Sequence, residues 1–294
     1  MSPVRRRLPL ARLAALAALV VACRPAAAAP CEQPERLGFS IIPRGDVRKE
    51  IAELQPLLDS LQATLGIPVD VYTPPSYGAV VEALLSGTVH LARLGPASYV
   101  SARRADPQLT AFASYANKAS TFQPAGPFYH SLLIVKAAGG IADIGALRGK
   151  RLALVDPAST SGALIPQQVF AKRVGTPLAA YFGQVGYSGS HVESIDKLLA
   201  GRVDAAFVGS QNLAAETAAH PDKARQVRVL WRSAPIPADP FVFRGQLCDG
   251  VKDKLRAAFF NHGGTQNAAV LDKLNVVRFV PVADDDYRII RQID

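Results

Sequence analysis

The chain has 294 residues, with 33 Lys and Arg against 24 Asp and Glu and a formal net charge of +9. Five of the basic residues (Arg5, Arg6, Arg7, Arg12 and Arg24) and no acidic one precede Pro30, so the rest carries 28 basic against 24 acidic residues, a balance of +4. That balance, with no basic stripe interleaved with aromatics, argues against nucleic acid as a partner, and no His, Cys, Asp or Glu falls in metal-ligand spacing.

In chain order, the four arginines, the apolar run Leu13 to Ala22 and the small residues Ala26 to Ala29 read as an export signal over residues 1–29. The apolar core is shorter than the roughly 20 residues of a membrane span. Two cleavage points compete. Val20-Val21-Ala22-Cys23 resembles a lipoprotein box that leaves Cys23 as a lipidated N-terminus, and Ala27-Ala28-Ala29 resembles an ordinary signal-peptidase site. Either way the protein is expected in the periplasm, where Cys31 and Cys248 can form a disulfide or remain two thiols.

About 265 residues after the signal exceed one compact core, so two lobes are expected. Leu37 to Ile42 reads as a buried strand, followed by a helix with Ile51, Leu54, Leu57, Leu58 and Leu61 on its apolar face. Val69 to Tyr72 is a strand, Tyr77 to Leu85 a helix ending at Gly87, Val89 to Leu94 a strand and Pro96 to Ala102 the start of a helix. After the strand Ser131 to Val135 a second series begins. Its expected members are the strand Arg151 to Val155, a helix Ser161 to Val174, a strand Tyr181 to Val185, a helix His191 to Leu199 stopped by Gly201, and a strand Val203 to Val208. This alternation implies an α/β fold with parallel strands and crossover helices. The Pro-rich segment Ala234 to Pro240 breaks it, and the helix Val251 to Asn261 is assigned back to the first lobe. The division is therefore 30–129 plus 241–294 for lobe 1 and 130–240 for lobe 2, with crossings near Phe128 to Ser131 and Ile236 to Phe243 serving as a two-segment hinge.

Val155-Asp156-Pro157-Ala158-Ser159-Thr160-Ser161-Gly162 links a strand to a helix and carries three hydroxyls in a row. A helix start leaves backbone N–H groups without partners and adds partial positive charge, a geometry that binds anions. The plainer alternative is a helix cap with spare hydroxyls. The Gly-x-x-x-x-Gly-Lys pattern of a nucleotide P-loop is absent.

At these residues the chain resembles the phosphate, phosphite and phosphonate (PhnD-type) substrate-binding proteins of ABC importers, members of the type II periplasmic binding protein fold. The resemblance runs through Tyr77 with Val81-Glu82-Ala83-Leu84, Gly95-Pro96-Ala97-Ser98-Tyr99, Leu147-Arg148-Gly149-Lys150-Arg151, Asp156 to Gly162, Ser188-Gly189-Ser190-His191, Val203-Asp204-Ala205 and Ala238-Asp239-Pro240. It implies two Rossmann-like lobes and a ligand-binding set. Ser159, Thr160 and Ser161 resemble the oxyanion cradle, and His191 the imidazole that donates to the same oxygens, biased toward its charged form by a dianion. Tyr77 and Tyr129 resemble the family's two ligand-facing tyrosines. Asp239 matches one of two acidic positions that hold the ammonium of aminoalkyl phosphonates. At the other, Gln211 stands where a glutamate is expected, which favours an amine-free ligand. Gly95 and Pro96, with Ser98 and Tyr99, offer further donors from lobe 1.

No catalytic residue, cofactor or metal is expected, since no Gly-x-Ser-x-Gly elbow and no glutamate or cysteine beside His191 accompany the serines. The implied partners of this monomer are the small oxyanion and an ABC permease in the inner membrane. The alternative is a sensor that presents a phosphorus or arsenic oxyanion state to a membrane histidine kinase.

Overall fold

Every residue of the first strand, Leu37–Ile41, is buried, as a strand covered on both faces must be. Its surroundings follow from the helix Val47–Leu65, which Asp46 caps by accepting the N–H groups of Arg48 and Lys49. Leu54, Leu57, Leu58 and Leu61 on one side of that helix pack with Leu37, Phe39, Leu255 and Phe259 into one apolar cluster. Each such side chain contributes about 1.5–3 kcal/mol by leaving water. The structure is a computed structural model that describes residues 30–260 and 265–293. The export signal expected over 1–29, including Cys23, lies outside the described residues, as does Asn261 at the expected end of the helix that begins at Asp249.

The strands are β1 (Leu37–Ile41), β2 (Val69–Tyr72), β3 (Leu91–Arg93), β4 (Thr110–Asn117), β5 (Phe128–Tyr129), β6 (Ser131–Lys136) and β7 (Arg151–Leu154). They continue with β8 (Gln184–Tyr187), β9 (Ala205–Gly209), β10 (Val227–Arg232), β11 (Ile236–Pro237), β12 (Phe241–Phe243) and β13 (Val276–Pro281). One sheet has the order β13-β4-β12-β3-β1-β2, a second β10-β6-β9-β7-β8, and β5 pairs with β11 between them in sequence. Helices alternate with the strands of both sheets, the α/β architecture expected from the sequence.

The expected parallel order holds only in part. Strands β1, β2 and β3 are parallel to one another's neighbours, as are β7, β8 and β9, because each is reached through a crossover helix. Strands β12, β4 and β13 run antiparallel in the first sheet, and β6 and β10 in the second. Each sheet receives strands that arrive from the other half of the molecule or by direct return, so both are mixed. The strand expected at Tyr181 to Val185 is corrected too: Leu178–Tyr181 is a helical turn that buries Leu178 and Tyr181, and the strand is Gln184–Tyr187. The segment expected as a plain helix from Ser161 to Val174 runs as π-helix over Thr160–Leu164 and Pro166–Phe170 before closing as α-helix over Ala171–Val174.

Cys31 and Cys248 are disulfide-bonded, 217 residues apart in sequence. The bridge is flanked by backbone bonds, Glu32 N to Gln246 O at 2.7 Å and Cys248 N to Glu32 O at 2.9 Å. Arg244 adds an ion pair with Glu32 at 2.7 Å and donates to the carbonyls of Leu84 and Leu85. Closing so long a loop restricts the unfolded chain, so the double variant Cys31→Ser/Cys248→Ser is expected to lose about 3–5 kcal/mol in denaturant unfolding. Coincident unfolding curves for variant and parent would remove the disulfide from the stability of the fold.

Candidate functional site

The ends of β1, β7 and β9 and the two segments β5 and Ala238 to Pro240 converge on one small cavity. Its walls contain Ser159, Thr160, Ser161 and His191 from one side and Tyr77, Tyr129, Asp239 and Gln211 from the others. All eight residues singled out in the sequence therefore meet in one place. Ile42, Arg44, Gly95 and Asn212 complete the lining. The space that a water centre can occupy is about 10 Å³, close to what one water needs.

Gly162 sets the position of the hydroxyl run. Its N–H donates to Ser159 Oγ at 3.1 Å, and its carbonyl accepts from Val155 N at 3.1 Å. A Cβ at this position would fall 2.4 Å from the Val155 side chain, so only glycine lets the helix start press against the end of β7. The first bonds of the turn run from Ala163 N and Leu164 N to Ser159 O. The N–H groups of Thr160 and Ser161 precede them, at the end where helix donors are left over. π-Helical turns are uncommon and concentrate at functional sites.

Two helix starts face each other here. Thr160 Oγ1 accepts the Ala97 N–H at 2.8 Å, and Ser98 Oγ donates to Ala158 O at 3.0 Å. A third bond, Val192 N to Arg44 O at 3.2 Å, joins the same two walls. Of the donors expected from Gly95 to Tyr99, Gly95 lines the cavity and the Ala97 N–H reaches Thr160. Ser98 and Tyr99 do not serve there, since Ser98 bonds Ala158 O and Tyr99 donates to Asp284 at 2.9 Å.

His191 begins the helix His191–Leu199, capped by Ser190, which accepts from Glu193 N. Its Nδ1 accepts the Gly209 N–H at 3.1 Å. That bond leaves the proton on Nε2, so the imidazole presents a donor. The charged form is expected against a dianion; from the protein's own groups, burial, reinforced by Arg44, pushes the His191 pKa down to about 3. Among the described residues, the bond that orients this ring comes from a backbone N–H and not from a carboxylate.

Tyr77 is fully buried and its hydroxyl has no partner among the described residues, which is what a donor awaiting a ligand oxygen looks like. The Tyr129 hydroxyl lies against Thr160, and burial raises its pKa well above the ordinary phenol value. Asp239 is buried beside Tyr115 Oη, 3.4 Å away. Burial raises its pKa, opposed by Arg44 and Arg93. Burial works against the charge of Arg44, yet Glu50, Tyr115 and Asp239 outweigh it and the Arg44 pKa is raised. Sequence reading missed Arg44 and Asn212. Both follow the carboxyl end of a strand, β1 and β9, where ligands of open α/β sheets bind, and that rule was the available signal.

The family model for the periplasmic substrate-binding protein of phosphonate ABC transporters matches residues 39–287. The chain belongs to this family. It is thereby a periplasmic substrate-binding component of an importer and not an enzyme. It is 30% identical over 269 residues to the phosphonates-binding periplasmic protein of Escherichia coli, spanning 89% of this chain and 77% of that one. It is 25% identical over 281 residues to the phosphate-import protein PhnD of Mycolicibacterium smegmatis, spanning 88% and 85%. A crystal structure of a binding-protein component of a phosphonate ABC transporter from Pseudomonas aeruginosa superimposes with a TM-score of 0.81 at 26% identity, over 89% and 86% of the two chains.

The buried imidazole gives a pH prediction. Below about 6.5 the unfolded chain protonates this histidine, whereas the folded protein keeps it neutral down to about 3. Stability from this group is thus present above pH 6.5 and lost as pH falls through that window, by up to a few kcal/mol. The raised pKa of Asp239 acts in the opposite sense but equally in both proteins. The unliganded His191→Asn variant should hold its melting temperature better than wild type between about pH 6.5 and 4. Parallel curves would mean that the imidazole is solvated.

Proposed function

We propose that the protein closes its two lobes around one tetrahedral phosphorus oxyanion without an amine, namely phosphate, phosphite or an alkylphosphonate, and delivers it as a monomer to an inner-membrane ABC permease. The observation that carries this reading is the common cavity of Ser159, Thr160, Ser161, His191, Tyr77 and Tyr129. Their hydroxyls, the imidazole Nε2–H and the leftover helix N–H groups are neutral donors converging from several directions, the requirement for holding oxygens of a tetrahedral anion. The curated relatives are named for phosphonate binding and phosphate import, which supports a phosphorus ligand and import rather than docking on a histidine kinase.

Closure follows from the same contacts. Lobe 1 (30–129 plus 241–294) and lobe 2 (130–240) each contribute donors, so a ligand that touches both stabilises the closed form over the open one. The membership of the two sheets, with β1 to β4, β12 and β13 in one and β6 to β10 in the other, supports that division. The pair β5 and β11 supports the two-segment hinge. Export by cleavage among Ala26 to Ala29 leaves the protein free in the periplasm, and cleavage at Cys23 anchors it.

The test is calorimetry on the mature protein with phosphate, phosphite, methylphosphonate, 2-aminoethylphosphonate and sulfate. Phosphate, phosphite and methylphosphonate should bind, 2-aminoethylphosphonate should bind more weakly, and sulfate should not bind. Gln211 Oε1 is a buried acceptor without a partner, and a protonated oxyanion can donate to it while sulfate has no proton to give. Thr160→Ala and His191→Ala should each weaken the bound oxyanion about tenfold or more, as loss of a hydrogen bond to a charged group costs about 1.5–3 kcal/mol. Circular dichroism should stay unchanged. Undiminished affinity in both variants would take these side chains out of the site.

A further inference from the structure

The small cavity shares three lining residues, Arg44, Gln211 and Asn212, with a larger chamber of about 480 Å³. Arg93 and Tyr115 form part of the chamber's inner wall. A ligand held by its phosphorus end in the cradle would extend any substituent past Arg44 into this space.

The polar groups along that path lean toward donation. Asn212 is 7% exposed and Arg93 is 1% exposed. Among the described residues, Asn212 Nδ2 and Arg93 Nε are both buried donors without a partner, and Gln211 Oε1 is a buried acceptor without one. Arg44 is tied through Nε alone, to Glu50 Oε2 at 2.9 Å, among the described residues. Its two terminal nitrogens remain for a ligand. Gly209 keeps the amides at the seam, since a Cβ there would fall 2.7 Å from both Asn212 Nδ2 and Gln211 Oε1.

Asp46, Glu53, Asp196 and Glu216 also line the chamber, with Asp46 capping a helix and Asp196 and Glu216 paired with Lys223; at the seam itself the carboxylates have little left to offer a cation. Glu50 Oε1 accepts from Arg44 N and Gly45 N, at 3.0 and 2.9 Å. Glu50 Oε2 accepts from Arg44 Nε and Arg93 Nη2, at 2.9 and 3.1 Å. Asp239 sits in the field of both guanidinium groups. An ammonium at the seam would meet the two fixed positive charges of Arg44 and Arg93 beside Asp239, whereas a carboxylate would find the fork of Arg44 and the amide of Asn212.

We infer that the site selects phosphonates that carry a second acidic group, with Arg44 and Asn212 holding that group at the seam of the two cavities. This rests on the oxyanion reading above. Calorimetry with phosphonoacetate, methylphosphonate and 2-aminoethylphosphonate tests it. Wild-type protein should bind phosphonoacetate about tenfold tighter than methylphosphonate, and 2-aminoethylphosphonate should be the weakest of the three. Arg44→Gln should lose about tenfold more affinity for phosphonoacetate than for methylphosphonate, and Arg44→Lys, which keeps the charge without the fork, should fall between. The wild-type order decides the matter even where a variant fails to fold. Methylphosphonate or 2-aminoethylphosphonate binding as tightly as phosphonoacetate overturns this inference and leaves the oxyanion reading standing. Failure of all three, and of phosphate and phosphite, overturns both.

Discussion

The site depends on Thr160 standing where two helix starts meet. Its Oγ1 takes the Ala97 N–H from one wall, while its backbone belongs to the hydroxyl run of the other. Helix starts repel one another electrostatically because each carries partial positive charge. Bringing two of them to one gap is therefore unfavourable unless something electron-rich lies between. A hydroxyl oxygen fills that role in part, and the proposed anion would fill it further. On the proposed reading, the approach of the two walls is thus coupled to the presence of negative charge.

Neutral donors do most of this work. His191 keeps its proton on Nε2 because Gly209 occupies Nδ1, and burial keeps the ring uncharged. A full cation placed in the cradle would bind any small anion indiscriminately, whereas directed neutral donors reward a particular arrangement of oxygens. The fixed positive charge is held back at Arg44, on the rim and half neutralised by Glu50. Position, then, separates the recognition of oxygens from the recognition of what is attached to them.

The readable part of this architecture was local. Helix starts at Tyr77, Pro96 and His191 were legible because caps and breakers sit next to them, and the strand-to-helix junction at Ser159 to Ser161 carried its own chemistry. Long-range choices were not legible. Strands β4, β10 and β13 escaped because Thr110–Asn117, Val227–Arg232 and Val276–Pro281 sit at sheet positions joined by antiparallel pairing, which leaves no βαβ rhythm in the chain. The π-helical winding after Thr160 escaped because it is set by the fit of Gly162 against Val155, not by propensity. Arg44 and Asn212 escaped for a further reason: an arginine after a strand and an asparagine in a helix read as solvated surface until the fold buries them.

The two chain crossings tie recognition to motion. Tyr129 lies in β5 and Asp239 follows β11, and these short strands pair with each other through Ile236 and Tyr129. His130 N donates to Ser210 Oγ and Ser210 N to His130 O, both at 2.8 Å, so the first crossing is fastened to the helix that carries Gln211 and Asn212. A rotation at the hinge cannot leave these side chains where they are. Ligand contacts made by Tyr129, Asp239, Gln211 and Asn212 would therefore report the closure angle as well as the ligand's shape, and a substituent that holds them apart would bind to a more open form. Under the proposed closure, size discrimination acts through the hinge: the cradle takes the oxyanion, while the crossings set how far the lobes close on each.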